Sequence, residues 1–441
     1  MKKVHITSLG CAKNLVDSEV MGGQLKQRKY ILTQNPEDAE LIIVNTCGFI
    51  KDAKDESIQA IFEAVKLKET DPKKQVFVTG CLSQRYRKEL GDEIPEIDAL
   101  FGTEDYAQIL EKLGEERFHA EDMYRMRQLS TPHHFAYLKI SEGCNHSCSF
   151  CAIPGIRGKH RSRTAEDILL EARILAEQGV KELILVSQDT SYYGKDLGRQ
   201  TNIVDLIEKI AGEKLFKWIR PLYWYPTNFP MDFIRLMDKY ETVIPYLDMP
   251  IQHASDHVLS YMRRAERRDG LLKMYRQIRE IRPDIAVRTT LIVGHPGERE
   301  TDFEQLKEFI QEVQFDRMGA FIYSDEEGTP AFDMHLKVDN KTAEARHAEL
   351  MALQQEISAT KNRKFEDTIQ TVLIDGYNEE EKYHHGRTFR DAPEIDNEVI
   401  INDLTGKEKR TGTFQQVRIT DTSEYELYGT SDVNSTELHG E

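Results

Sequence analysis

Basic charge is the first shortage: 59 lysines and arginines stand against 76 aspartates and glutamates, a net charge of -17 over 441 residues. General attraction to nucleic-acid phosphates is therefore a poor expectation for the whole molecule, and a basic partner suits it better. Tryptophan is scarce, at two residues. No apolar run approaches the roughly 20 residues that a membrane span needs. Met1-Lys2-Lys3 leads into Val4-His5-Ile6 without an apolar stretch or small-residue cleavage site. The expectation is a soluble, cytoplasmic protein with no secretory signal and no membrane partner. Six cysteines are far too few for a disulfide scaffold in a chain this long. The 39% of hydrophobic residues nevertheless permits packed cores, and the length predicts roughly three domains.

From residue 1 to about 118, short apolar runs (Val4 to Leu9, Leu41 to Val44, Val76 to Val78) alternate with amphipathic stretches such as Ser57 to Lys68. This pattern predicts an α/β domain with an open parallel sheet. A polar segment, 119–134, reads as a linker. From 135 to 340 the alternation resumes, with strands at Ala136 to Ile140, Leu183 to Val186, Trp218 to Leu222, Tyr246 to Met249, Ala286 to Val293 and Met318 to Tyr323. Six βα repeats predict a partial (β/α)6 barrel with its site at the strands' carboxyl ends. Residues 341–365, without glycine or proline, read as a solvated connecting helix. Short runs between 366 and 433 predict a small antiparallel β-barrel, and 434–441 a frayed tail.

Three cysteines each follow a predicted strand of the first domain: Gly10-Cys11, Thr46-Cys47 and Gly80-Cys81. In an open parallel sheet the strands' carboxyl ends line one rim, so these thiols should converge there. The bland alternative is three inert core thiols. The other three form Cys144-Asn145-His146-Ser147-Cys148-Ser149-Phe150-Cys151 just after the first barrel strand. A structural zinc site closes with four protein ligands, and no second cysteine pair follows at finger spacing. His146, between Cys144 and Cys148, reads as a loop histidine facing solvent. Three thiolates suit a 4Fe-4S cluster with one iron open to a small molecule.

The CxxxCxxC loop on a partial βα barrel resembles the radical S-adenosylmethionine superfamily. Gly10-Cys11-Ala12-Lys13-Asn14, Asn45-Thr46-Cys47-Gly48-Phe49, Gly80-Cys81-Leu82-Ser83-Gln84-Arg85-Tyr86 and Thr289-Thr290-Leu291-Ile292-Val293-Gly294-His295-Pro296-Gly297-Glu298 narrow it further. They make the whole chain similar to the methylthiotransferases, whose C-terminal barrel is a TRAM domain. The resemblance implies two 4Fe-4S clusters, one on Cys144, Cys148 and Cys151 and one on Cys11, Cys47 and Cys81, with S-adenosylmethionine as cosubstrate. It implies a division of work: one cluster makes a carbon radical on the substrate, the other supplies the methylthio group. An electron donor and a sulfur source would be needed as partners. Gln188, Arg220, Arg288, Gly294 and Glu298 are the candidate S-adenosylmethionine contacts, with the glycines of that turn allowing close backbone approach. His5, His257, His384 and His385 read as surface or packing residues.

Methylthiotransferases act either on adenosines of transfer RNA or on an aspartate of small-subunit ribosomal protein number twelve. A barrel that grips RNA should offer Lys and Arg to phosphates. Here Glu366, Asp367, Asp375, Glu379, Glu380, Glu381, Asp391, Glu394, Asp396, Glu398 and Asp403 outnumber Lys382, Arg387, Arg390, Lys407, Lys409 and Arg410. Such a surface suits a basic ribosomal protein, free or within the ribosome. Cys151-Ala152-Ile153-Pro154, Tyr246-Leu247-Asp248-Met249-Pro250-Ile251-Gln252-His253 and Tyr323-Ser324-Asp325-Glu326-Glu327-Gly328-Thr329-Pro330 also resemble the ribosomal-protein group, implying 3-methylthioaspartate as product. The basic run Arg157 to Arg163 is the one local feature that fits an RNA contact; it fits equally a contact with the target's carboxylate or backbone, or a brace for the cluster loop. The rival readings are a transfer-RNA methylthiotransferase and a two-cluster electron carrier.

Overall fold

Leu41–Thr46 is buried along its whole length, and Gln75–Gly80 at every residue but its first, as strands sandwiched between helices must be. A computed structural model describes residues 1–116, 123–198, 201–404 and 410–431. In it, β1 (Lys3–Ser8), β2 (Ile31–Leu32), β3 (Leu41–Thr46), β4 (Gln75–Gly80) and β5 (Ala99–Leu100) form a parallel sheet in the order β2-β1-β3-β4-β5. The two-residue edge strands β2 and β5 are too short to show a period in the sequence. Between β1 and β3 the strand order reverses, and such switch points open a crevice at the carboxyl ends. Because β1, β3 and β4 are neighbours, the chain leaves this rim at Cys11, Cys47 and Cys81.

The second unit carries β6 (Phe135–Lys139), a ribbon of β7 (Ser141–Glu142) with β8 (Arg161–Ser162), then β9 (Glu182–Val186), β10 (Trp218–Pro221), β11 (Tyr246–Asp248), β12 (Ala286–Val293) and β13 (Arg317–Ile322). The six expected strands form two parallel three-stranded sheets, β10-β9-β6 and β11-β12-β13. An Ile219–Val243 bridge and a 2.9 Å hydrogen bond from the Trp224 N–H to the Asp248 carbonyl join them. Their outer faces pack on helices through Leu138, Leu185, Leu247, Val287, Leu306 and Phe309. Their inner faces, Phe135, Tyr137, Ile184, Tyr246 and Ala286, share a cluster with Val16 and Val20 of α1 (Ala12–Gln27) and with Leu373 and Ala392 of the C-terminal unit. The incomplete barrel is thus filled by its two flanking units. Each large apolar side chain so buried contributes about 1.5–3 kcal/mol.

The last unit is a closed barrel of β14 (Ile369–Asn378), β15 (Tyr383–Arg387), β16 (Glu398–Ile401), β17 (Phe414–Thr422) and β18 (Glu426–Ser431), ordered β14-β15-β16-β18-β17. β16 and β18 pair in parallel while the other neighbours are antiparallel. β15, Tyr-His-His-Gly-Arg, has no apolar alternation and escapes sequence reasoning.

Two connections differ from expectation. In the 119–134 segment, Arg127 is buried between Glu19 of α1 (3.1 Å) and Glu171 of the second unit (2.6 Å), so the segment is anchored there between the first two units. Helix Asn340–Asn362 buries Ala343, Arg346, Leu350, Gln354, Ile357 and Ser358, one face at helical spacing. Half of that face is polar and hydrogen-bonded, Arg346 to Glu298 and Gln354 to the Phe315 carbonyl, which hid it from a hydrophobic pattern. The sequence-predicted tail lies outside the described residues. Among them, no helix is long and apolar enough to cross a membrane.

Candidate active site

All six cysteines are free thiols. Cys11 caps α1, Cys47 follows β3 with its N–H donating to Ser57 Oγ at 2.9 Å, and Cys81 opens a short helix, Cys81–Arg85. Cys47 senses the charge of Cys81 and Cys11, and Cys81 that of Cys11. Burial pushes the Cys47 thiol up to about 11, and Cys81 is also raised, burial outweighing Arg157. Cys11 reaches solvent, yet protein crowds it enough that lost water is the largest influence on its thiol. Lys13, Arg157 and the backbone N–H groups of Asn14 and Lys13 outweigh that loss and lower its pKa.

Gly10 sits at φ 87°, and a Cβ there would lie 2.7 Å from Cys47 Cβ and 2.8 Å from its Sγ. Gly10→Ala therefore combines backbone strain, on the order of 1–3 kcal/mol, with displacement of Cys47. It is expected to lower the iron bound per chain after reconstitution, measured by metal analysis.

The second triad lies on the loop after β7. Cys144 and Cys151 are raised to about 11 and 12, chiefly by burial, and each senses Cys148. Ser149 N–H donates to the Met262 carbonyl at 3.0 Å, Ala331 N–H to the Ser149 carbonyl at 2.8 Å, and Ser149 Oγ lies 3.2 Å from His295 Nε2. The loop is thereby tied to the Gly294–Glu298 turn. His146 does not face solvent freely. Its ring stacks on Tyr225 at 3.7 Å, and Nε2 meets Asp189 at 2.6 Å. It is committed elsewhere as a side chain, leaving each triad with three sulfurs.

Soft sulfur donors in threes, without a fourth protein ligand, fit iron–sulfur clusters. Among the described residues no three His, Cys, Asp or Glu side chains form a single-ion site.

The triads belong to different units that one buried ionic network joins. Lys139 Nζ meets Asp17 (2.5 Å) and Glu142 (2.7 Å). Arg157 Nη1 meets the same two carboxylates at 2.8 and 3.0 Å, while its Nη2 meets Asn14 Oδ1 (2.9 Å) and Cys81 Sγ (3.5 Å). On the other side of the seam, Glu326, buried, pairs with Lys54 and Arg85 at 2.8 Å each. Between these contacts opens a cavity of about 590 Å³, lined from the first unit by Gln84, Arg85 and Tyr86 and from the second by Cys148, Cys151 and Arg263. Sequence reasoning missed Asp17, Glu142, Lys139 and Glu326. A usable signal was Glu142, a carboxylate two residues before Cys144.

The expected S-adenosylmethionine contacts separate. Gln188 lies beside the network, its Nε2 donating to Glu142 Oε1 at 2.5 Å, while its buried Oε1 and Asp189 Oδ1 have no hydrogen-bond partner. Unpartnered buried oxygens are costly, and these fit the hydroxyls and ammonium of a bound nucleoside cosubstrate. Glu298 is buried and locks its own turn, accepting from Gly294 N–H at 2.7 Å and pairing with Arg346 at 2.9 Å. Burial raises its pKa to about 7 against the pull of Arg346.

Gly294, at φ 75°, is required by its turn and by Ala343, whose Cβ a side chain there would meet at 2.8 Å; the close approach is to protein. Arg220 and Arg288 point toward the C-terminal barrel. Arg220 donates to Glu182 (2.7 Å) and the Phe389 carbonyl (2.9 Å), and Arg288 bridges Asp248 (2.9 Å) and Asp396 (3.1 Å). Both are committed to that floor. Strand period shows that a residue faces inward, but not toward which end of the barrel its side chain leans.

The charge readings change likewise. Asp375, Asp391 and Asp396 pair with His134 and Arg387, with Arg317, and with Arg288, so they are not surface acids. Arg387 and Arg390 are buried too, and Lys407 and Lys409 lie outside the described residues. Of the acids named above, Glu366, Asp367, Glu379, Glu380, Glu381, Glu394, Glu398 and Asp403 remain exposed. In the basic run, Arg157 is spent on the network, Arg161 on Glu104, and Arg163 on Asp167 and Glu171. Those three arginines do not await phosphates.

Family models match along the chain: "Uncharacterized protein family UPF0004" over residues 3–102, the Radical SAM superfamily over 138–310, and the TRAM domain over 368–431. The protein is similar in fold to the radical S-adenosylmethionine methyltransferase TsrM from Kitasatospora setae, with TM-score 0.54 and 12% identity over 85% of this chain and 79% of that one. It is 47% identical over 428 residues to the ribosomal protein uS12 methylthiotransferase RimO of Aquifex aeolicus, covering 97% of this chain and 96% of the relative. The proteins of that name from Chloroherpeton thalassium and Bacteroides thetaiotaomicron are 45% and 46% identical, each over 97% of this chain and 98% of the relative. With identity at this level sustained across all three units, the chain belongs to the RimO family of radical S-adenosylmethionine methylthiotransferases.

Proposed function

We propose that this chain inserts a methylthio group at the β-carbon of an aspartate of ribosomal protein uS12. The reaction draws on S-adenosylmethionine, two 4Fe-4S clusters, an external electron donor and a sulfur source. Cys144, Cys148 and Cys151 hold one cluster; Cys11, Cys47 and Cys81 hold the other. The shared name of the relatives supports the reaction and its substrate. One observation carries the two-cluster reading: Arg157, six residues after Cys151, reaches across the seam to Cys81 Sγ, so the first triad is tied to the loop whose Cys148 and Cys151 line the cavity between the units. When bound, the clusters and S-adenosylmethionine supply a 5'-deoxyadenosyl radical and the sulfur to be methylated and transferred.

The chain's own residues prepare that space. Gln188 Oε1 and Asp189 Oδ1 accept hydrogen bonds from the cosubstrate, Glu298 and Gly294 fix the turn behind it, and Tyr225 with Asp189 holds His146 against the cluster loop. The buried network and the Glu326 pairs keep the two units closed around the site, limiting water. The exposed acids of the C-terminal barrel and the internal pairing of Arg157, Arg161 and Arg163 favour a basic protein over RNA as substrate.

The test is anaerobic incubation of reconstituted enzyme with uS12 and, separately, with transfer RNA. The expected result is the methylthio mass on the uS12 aspartate, with release of 5'-deoxyadenosine. Mass gain on transfer RNA, or no 5'-deoxyadenosine, refutes the assignment in favour of an RNA-modifying enzyme or an electron carrier respectively.

A further inference from the structure

The cavity between the units holds one cation whose purpose the ion pairs do not explain. Arg85 is spent on Glu326 and on the carbonyls of Gly48 and Glu327, and His146 on Asp189. Arg263 lines the same wall as Cys148 and Cys151 and is exposed. Among the described residues its guanidinium has no carboxylate, carbonyl or aromatic partner.

Its neighbours differ: Arg264 meets Glu266 at 3.4 Å and lies over the Tyr225 ring, and Arg268 meets Glu308 at 3.3 Å. The Arg263 backbone adopts φ 55°, a left-handed conformation that costs a non-glycine residue about 1–3 kcal/mol. Glu327 on the cavity wall is exposed, and Asp325, two residues before it, is already paired with Lys337 at 2.5 Å. The cavity therefore offers a single free guanidinium beside the cluster loop.

Resting on the function proposed above, we propose that Arg263 binds the carboxylate of the target aspartate. A planar guanidinium takes a carboxylate through two parallel hydrogen bonds. That geometry fixes the carboxylate and so presents the adjacent β-carbon to the reacting groups in one orientation. It also separates aspartate from asparagine, whose amide carries no charge. Arg263 is a substrate-binding residue and takes no proton.

The experiment measures the affinity of reconstituted holoenzyme for uS12 carrying either Asp or Asn at the target position. Wild type is expected to prefer Asp by on the order of tenfold to a hundredfold, the range of a charge-assisted hydrogen-bonded pair. Arg263→Gln is expected to bind both forms alike, and Arg263→Lys to regain part of the preference. With the Asp substrate, Arg263→Gln should raise KM more than it lowers kcat. An undiminished preference in Arg263→Gln overturns the proposal. So does an effect confined to S-adenosylmethionine affinity, which assigns the guanidinium to the cosubstrate's carboxylate instead. Wild-type enzyme that leaves uS12 unmodified fails the proposed function itself, and the anchor falls with it.

Discussion

Cys47→Ala is expected to abolish methylthiolation while 5'-deoxyadenosine release remains measurable, whereas Cys148→Ala is expected to abolish both. The two thiols sit on different units, after β3 and after β7; Cys47 senses Cys81 and Cys11, while Cys144 and Cys151 each sense Cys148. Removing Cys47 leaves two of three sulfurs on the first rim and leaves the second loop's anchors, Met262, Ala331 and His295, untouched. Partners of metal ligands alone are worth about 10–100-fold in affinity or activity, so loss of a ligand should reduce sulfur transfer by at least about a hundredfold. The assay follows 5'-deoxyadenosine by chromatography and the uS12 product by mass, with iron counted per chain. Retained sulfur insertion in Cys47→Ala would refute the division of work between the triads.

Arg157→Ala is expected to cost about 3–5 kcal/mol of folding stability, because it strands carboxylates in a buried site. Asp17 keeps only Lys139 as a cationic partner, as does Glu142. Glu142 also shows how the loss depends on pH. Burial pushes its pKa up, but Lys139 and Arg157 outweigh burial and hold it well below the ordinary carboxylate range. A depressed pKa adds stability above the unfolded value and loses it as pH falls. The gap between wild type and variant should therefore be full at neutral pH and narrow under acid, as urea unfolding of the iron-free protein at both pH values would show. Arg157→Lys keeps the charge but not the fork that reaches Asn14 and Cys81, and should recover stability in part.

Much of the architecture was legible because strands buried on both faces advertise themselves: all six barrel strands fall within two residues of the expected positions. The rim of Cys11, Cys47 and Cys81 followed from the same runs. What stayed hidden is polar burial. β15, the face of helix Asn340–Asn362 and the seam residues Asp17, Lys139 and Glu142 are inside because they satisfy one another, and no hydrophobic period marks them. The same blindness placed Arg220 and Arg288 with the cosubstrate and counted Asp375, Asp391 and Asp396 as surface charge. Composition gives the sign of a side chain but not the partner that cancels it.

The loop between β15 and β16 closes the bottom of the central barrel, with Asp391 on Arg317, Asp396 on Arg288 and Tyr246, Glu394 on Tyr137 and the Phe389 carbonyl on Arg220. Grafting the terminal module of a nucleic-acid-modifying relative onto this chain would leave several guanidinium groups uncompensated in the lumen unless residues 388–397 travelled as matched cargo. Recognition outside and catalysis inside would then evolve as a coupled pair, with substrate choice constrained by the fit of a stopper.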